Sequence, residues 1–172
     1  MLDNLIKAAN TRPTQENCTK LADIQAAQND LEKAIIYYEK SLGINPDDVQ
    51  TLLKLSSIQY RLRKIPEAID TLTKALALAP EFAMGYYNLG IMLTDLKEYD
   101  KALNIYSRAI ELQPDYKEAY YNAGLIQIEL RQYKSAIANI LTAEKLGIKI
   151  PQVYFNLGVA YSRISELETS IK

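Results

Sequence analysis

The chain contains no histidine and a single cysteine, Cys18. Without imidazole there is no histidine general base and no histidine-containing metal site. One cysteine excludes an internal disulfide and any cysteine cluster for zinc or iron–sulfur. An excess of either charge is also missing: 20 Lys+Arg stand against 21 Asp+Glu over 172 residues, with a pI near 5.6. That balance offers no basic face for nucleic acid. No apolar run approaches the ~18 residues of a membrane span. The opening MLDNLIKAAN is interrupted by Asp3, Asn4 and Lys7 and lacks the apolar core of a signal peptide. The expectation is a soluble, cytoplasmic protein with no membrane insertion and no cofactor. Six glycines and six prolines are few, and their placement is the main signal.

Pro46, Pro80 and Pro114 recur every 34 residues, each after an apolar stretch: SLGINP, ALALAP and AIELQP. Tyr86, Tyr120 and Tyr154 share the period, each opening Y-[YF]-N. So do Gly90, Gly124 and Gly158, and Ala34, Ala68, Ala102 and Ala136, with Ser170 completing the series. The register continues past Ile148, which stands where a fourth proline is expected. Such a period marks an array of stacked units. Within residues 83–96, Tyr86, Leu89, Gly90, Leu93 and Leu96 fall on one helical face; within 99–112, Tyr99, Ala102, Leu103, Tyr106, Ala109, Ile110 and Leu112 do the same. Lys97 and Glu98 form a short turn between antiparallel helices. Gly90 and Ala102 are small enough to let two backbones approach. Proline ends the second helix, because the residue before it is driven out of the helical region. Asp47, Asp48, Glu81 and Asp115 then fall where the next helix dipole favours acid. Pro66 and Pro151 suit a first helical turn.

These residues resemble the tetratricopeptide repeat, a 34-residue helix–turn–helix unit. In residues 83–116 the family pattern appears as Tyr86, Leu89, Gly90, Leu93, Ala102, Tyr106, Ala109 and Pro114. The resemblance implies an all-α, right-handed α-solenoid of about nine helices plus end stubs. Its units would be 15–48, 49–82, 83–116 and 117–150, with a partial fifth over 151–172 and an N-terminal stub helix or preceding-repeat remnant over 1–14. Cys18 takes a first-helix core position and reads as a small buried hydrophobe. The family's turn glycine is replaced by Asn29, Arg63, Lys97, Arg131 and Ser165. The chain stops early in the second helix expected for the fifth unit. This reads as a fragment of a longer protein, or as an end closed by self-association through uncapped repeats.

The resemblance also implies a concave surface lined by the first helices. There the chain offers an aromatic row, Tyr87, Tyr121 and Phe155, and an aliphatic row, Ile91, Leu125 and Val159. Between them lie Asn88, Asn122 and Asn156, and further along Asp95, Glu129 and Arg163. The three Asn are similar to the asparagine ladder in the repeat superhelix of O-linked N-acetylglucosamine transferase. That likeness implies amides gripping an extended peptide, for which donor and acceptor on one group are suited. Two alternatives stay open: each Asn makes a local helix-to-helix hydrogen bond, or a flanking helix covers the apolar stripe. The carboxylate clamp that binds heat-shock protein tails is not present. Its five columns read Thr19, Asp23, Lys54, Met84 and Asn88 in the first window. They read Leu53, Ser57, Asn88, Glu118 and Asn122 in the second, and Tyr87, Ile91, Asn122, Gln152 and Asn156 in the third.

No catalytic constellation is visible; GYYNLG at 85–90 lacks the Gly-Lys-Ser/Thr of a phosphate loop. The expected function is therefore a non-enzymatic protein-interaction scaffold. It would bind an extended or helical peptide segment at Tyr87, Asn88, Ile91, Tyr121, Asn122, Leu125, Phe155, Asn156 and Val159. The other expectations are a substrate-selecting arm of a larger enzyme and a self-assembling structural protein.

Overall fold

The structure is a computed structural model describing residues 2–170. Among these residues there are ten helices and no strand. The chain divides into two compact units, residues 1–81 and 82–172.

The first unit holds α1 (Leu2–Thr11), α2 (Gln15–Ala27), α3 (Leu31–Ile44), α4 (Val49–Arg61) and α5 (Ile65–Leu78). Helices α2 and α3 pair as a hairpin, as do α4 and α5, and α3 packs on α4. The core between them is Ala22, Leu31, Ala34, Ile35, Tyr38, Leu55 and Ile58. Helix α1 closes against α2 through Ala9, Cys18 and Leu21, with Leu5 and Ile6 beside them. Cys18 is fully buried, and burial raises its thiol pKa. It is a packing residue. Several polar groups taken into this unit are paired: the Thr19 and Ser41 hydroxyls are 2.7 Å apart, and the Tyr38 hydroxyl donates to Asp23 at 2.6 Å. Asp23 also accepts from Lys54 at 2.8 Å.

The second unit holds α6 (Ala83–Asp95), α7 (Tyr99–Leu112), α8 (Lys117–Glu129), α9 (Tyr133–Lys145) and α10 (Pro151–Ser170). Helices α6–α7 and α8–α9 are hairpins; α7 packs on α8, and α9 on α10. Tyr106 is 1% exposed, and its ring lies over Gly90, where a Cβ would stand 2.5 Å from Cε1. Ile140 covers Gly124 in the same way, 2.6 Å from the position of a Cβ. At Gly90 and Gly124 a side chain of the paired helix thus occupies the space a Cβ would need.

Every hairpin turn is built alike. Asn29, Arg63, Lys97 and Arg131 take positive φ, between 58° and 62°. At each, two amides fold back on the ending helix: the Lys97 N–H donates to the Thr94 carbonyl and the Glu98 N–H to the Leu93 carbonyl, both at 2.9 Å. These bonds satisfy carbonyls that the helix end leaves open. Ser165, expected to be the fifth such turn, is not one. Helix α10 runs unbroken through it to Ser170. Among the described residues no helix follows α10.

Candidate functional site

In the second unit the candidate residues fall on α6, α8 and α10, one 34-residue step apart. Phe155 is 71% exposed, and the other eight are half-buried. Burial separates the aromatic row. Tyr87 is a packed residue, its ring 4.8 Å from Tyr116 and 6.0 Å from Tyr106. Tyr121 packs against the cluster of Ile137, Ile140, Val153 and Leu157. Phe155 has no such cover.

The asparagines lock successive repeats together. Asn122 Nδ2 donates to the Tyr87 hydroxyl at 3.3 Å, and Asn156 Nδ2 donates to the Tyr121 hydroxyl at 3.1 Å. The local helix-to-helix bond left open by the sequence is therefore made at two of three positions. It engages one amide N–H and leaves the carbonyl oxygen as the atom able to accept. Burial raises the Tyr87 pKa; the Asn122 bond works against this, and the Glu118 carboxylate adds to it. Tyr116 is pushed up to about 12, first by burial and then by Tyr87 and Glu118.

Behind these bonds lies a cleft of about 360 Å³. Ile91, Leu125, Asn122 and Asn156 line it, with Asp95 and Glu129 at its wall. The structure thus brings four of the nine candidates into one site. Phe155 and Val159 line a neighbouring hollow on α10 with Tyr154 and Arg163. Asn88 is half-buried on α6 and lines neither. The sequence reading missed Thr94, Tyr99 and Ile128 in the cleft wall, and Tyr116 as the support of Tyr87. Tyr99 and Tyr106, core positions by their periodicity, line the cleft as well. Tyr116 carried no signal, because it falls outside the repeated columns.

Tetratricopeptide repeat profiles match residues 15–48, 83–116 and 105–138. The chain belongs to the tetratricopeptide repeat family. As a tetratricopeptide repeat array it is a protein-interaction scaffold. The fold is shared with the MamA protein, at a TM-score of 0.84 and 27% identity over 91% of this chain and 86% of that one. MamA residues 41–end from Desulfovibrio magneticus RS-1 align with a TM-score of 0.82 and 21% identity, covering 91% of this chain and 89% of that one. YrrB, described as a TPR protein with an unusual peptide-binding site, aligns with a TM-score of 0.80 and 22% identity, covering 96% and 86%. No curated protein sequence matches this chain. No helix among the described residues is long and apolar enough to cross a membrane.

Proposed function

We propose that this tetratricopeptide array binds an extended or helical peptide segment along α6, α8 and α10, and acts by binding rather than by catalysis. The repeats on which this rests are units 15–48, 49–82, 83–116 and 117–150, with a fifth beginning at 151. The observation that carries the reading is the cleft in which aliphatic Ile91 and Leu125 alternate with the amides of Asn122 and Asn156. An apolar wall supplies binding energy by area removed from water. An amide whose N–H is held by a neighbouring tyrosine presents a fixed acceptor, so little ordering is lost when a peptide N–H donates to it. Phe155 offers a further exposed anchor at the α10 end.

The test is a labelled peptide library titrated against the full chain and against Leu125→Arg. Leu125 is half-buried at the cleft, so arginine fills the site without entering the hairpin core. The expected result is binding by wild type and loss of at least tenfold in the variant, with unchanged far-UV circular dichroism. Equal binding by the two chains overturns the proposal.

A further inference from the structure

We propose that α10 carries an interaction surface for a second copy of this chain, which docks antiparallel along Tyr154, Gly158, Tyr161 and Ser165. The surface lies apart from the peptide cleft and does not rest on that reading. The four residues are separated by four, three and four positions, the step of a coiled-coil seam, so they form one stripe on α10. All four are exposed, Tyr154 at 54% and Tyr161 at 53%. The buried side of the helix is elsewhere: Val153, Leu157 and Ala160 pack with Ile137 and Ile140 of α9. The stripe exists because α10 runs unbroken through Ser165. On α6 and α8 the residues in the Ser165 column are Lys97 and Arg131, where the chain turns. There the next helix covers the glycine, with Tyr106 over Gly90 and Ile140 over Gly124. At Gly158 a Cβ would meet nothing within 4 Å.

The order of sizes along the stripe identifies the occupant. It reads large, small, large, small. Against a parallel copy, ring would meet ring and glycine would meet glycine. Turned antiparallel about a two-fold axis between Val159 and Ala160, Tyr154 lies opposite Ser165 and Gly158 opposite Tyr161. The two-fold then repeats both pairs, so one stripe is its own complement. Each ring fills the space beside a small residue, as Tyr106 does over Gly90 within one chain. The Tyr154 hydroxyl is satisfied by Glu144 of its own chain, which holds the ring in place. Arg163 and Glu166 pair with each other off the stripe, so docking strands neither charge. A net charge of −1 sets up little repulsion between copies. The stripe is about 17 Å long at 1.5 Å per residue. That is short for a permanent interface, so the dimer forms with rising concentration.

Sedimentation velocity of the full chain from about 2 to 200 μM tests this, with a shift from monomer to dimer expected across the range. Gly158→Leu is expected to weaken the dimer about tenfold or more, because the added side chain takes the place of the partner's ring. Within one copy that side chain enters open space, so far-UV circular dichroism is expected to stay unchanged. Oxidative crosslinking reads the orientation, and the buried Cys18 gives no background. A mixture of Gly158→Cys and Tyr161→Cys chains is expected to crosslink about threefold or more above either chain alone. A monomer at every concentration overturns the proposal, whether the stripe is then left to water or to a different partner. A dimer indifferent to Gly158→Leu overturns the stripe as its interface. Equal crosslinking in mixed and unmixed samples overturns the antiparallel pairing.

Discussion

The ring of Tyr106 lies so close over Gly90 that a Cβ there would meet Cε1 at 2.5 Å. Tyr106 is 1% exposed and cannot swing aside without opening the α6–α7 hairpin. Gly90→Ala is therefore expected to destabilise the chain by about 1–3 kcal/mol through overpacking. Gly158 occupies the same column of α10, and a Cβ there meets nothing within 4 Å. Gly158→Ala is expected to stabilise by about 0.5–1 kcal/mol through helix propensity. Urea midpoints of the two variants check the contrast, and equal shifts would mean that the hairpin relaxes around the extra methyl.

The turn residue Lys97 has φ 59°. A side chain in the left-handed region costs about 1–2 kcal/mol that glycine does not bear. Lys97→Gly is expected to raise the thermal midpoint. Ser165→Gly, inside α10, is expected to lower it, because glycine weakens a helix interior. A rise from both substitutions would place a turn at Ser165 after all.

The Asn122–Tyr87 bond joins α8 to α6 across 35 residues of sequence. A double-mutant cycle of Asn122→Ala and Tyr87→Phe is expected to give a coupling of about 0.5–1.5 kcal/mol. Tyr87→Phe alone is also expected to weaken peptide binding, because it releases the amide that the hydroxyl holds. Unchanged affinity in that variant would mean that the carbonyl of Asn122 makes no contact with the ligand.

Tyr116 has its pKa pushed up to about 12, mainly by burial, and Tyr87 is shifted in the same direction. A folded-state pKa above the unfolded value gives stability that is complete below about pH 10, the unfolded tyrosine value. It is lost as the pH rises toward 12, because the unfolded chain ionises first. Thermal midpoints measured from pH 9 to 12 are expected to fall less steeply for Tyr116→Phe than for wild type. Parallel curves would mean that Tyr116 ionises as readily in the folded chain as in the unfolded one.

Helix identity and helix length were legible from the residues because they depend on neighbours in sequence. Proline after an apolar stretch stops a helix, a period of 3.6 defines its buried face, and a repeat of 34 dictates that the next unit does the same. The small residues Gly90 and Ala102 announce a close crossing for the same reason. The left-handed turns at Asn29, Arg63, Lys97 and Arg131 were located by repeat register, although only the backbone shows that non-glycine residues bear the positive φ. Register alone placed a fifth turn at Ser165, where α10 instead runs unbroken.

Sequence by itself determined which residues share the face of α6, α8 and α10: periodicity assigns a residue to a side of a helix. Only tertiary structure decided what each does there. Tyr87 and Tyr121 became packed supports, while Phe155, in the same column, stayed exposed. The difference is set by neighbours on other helices, such as Tyr106 and Tyr116 beside Tyr87. A tyrosine with another helix behind it is buried, and its hydroxyl is held by the asparagine of the next repeat. On α10 no described residue gives the same cover, and the Phe155 ring stays exposed.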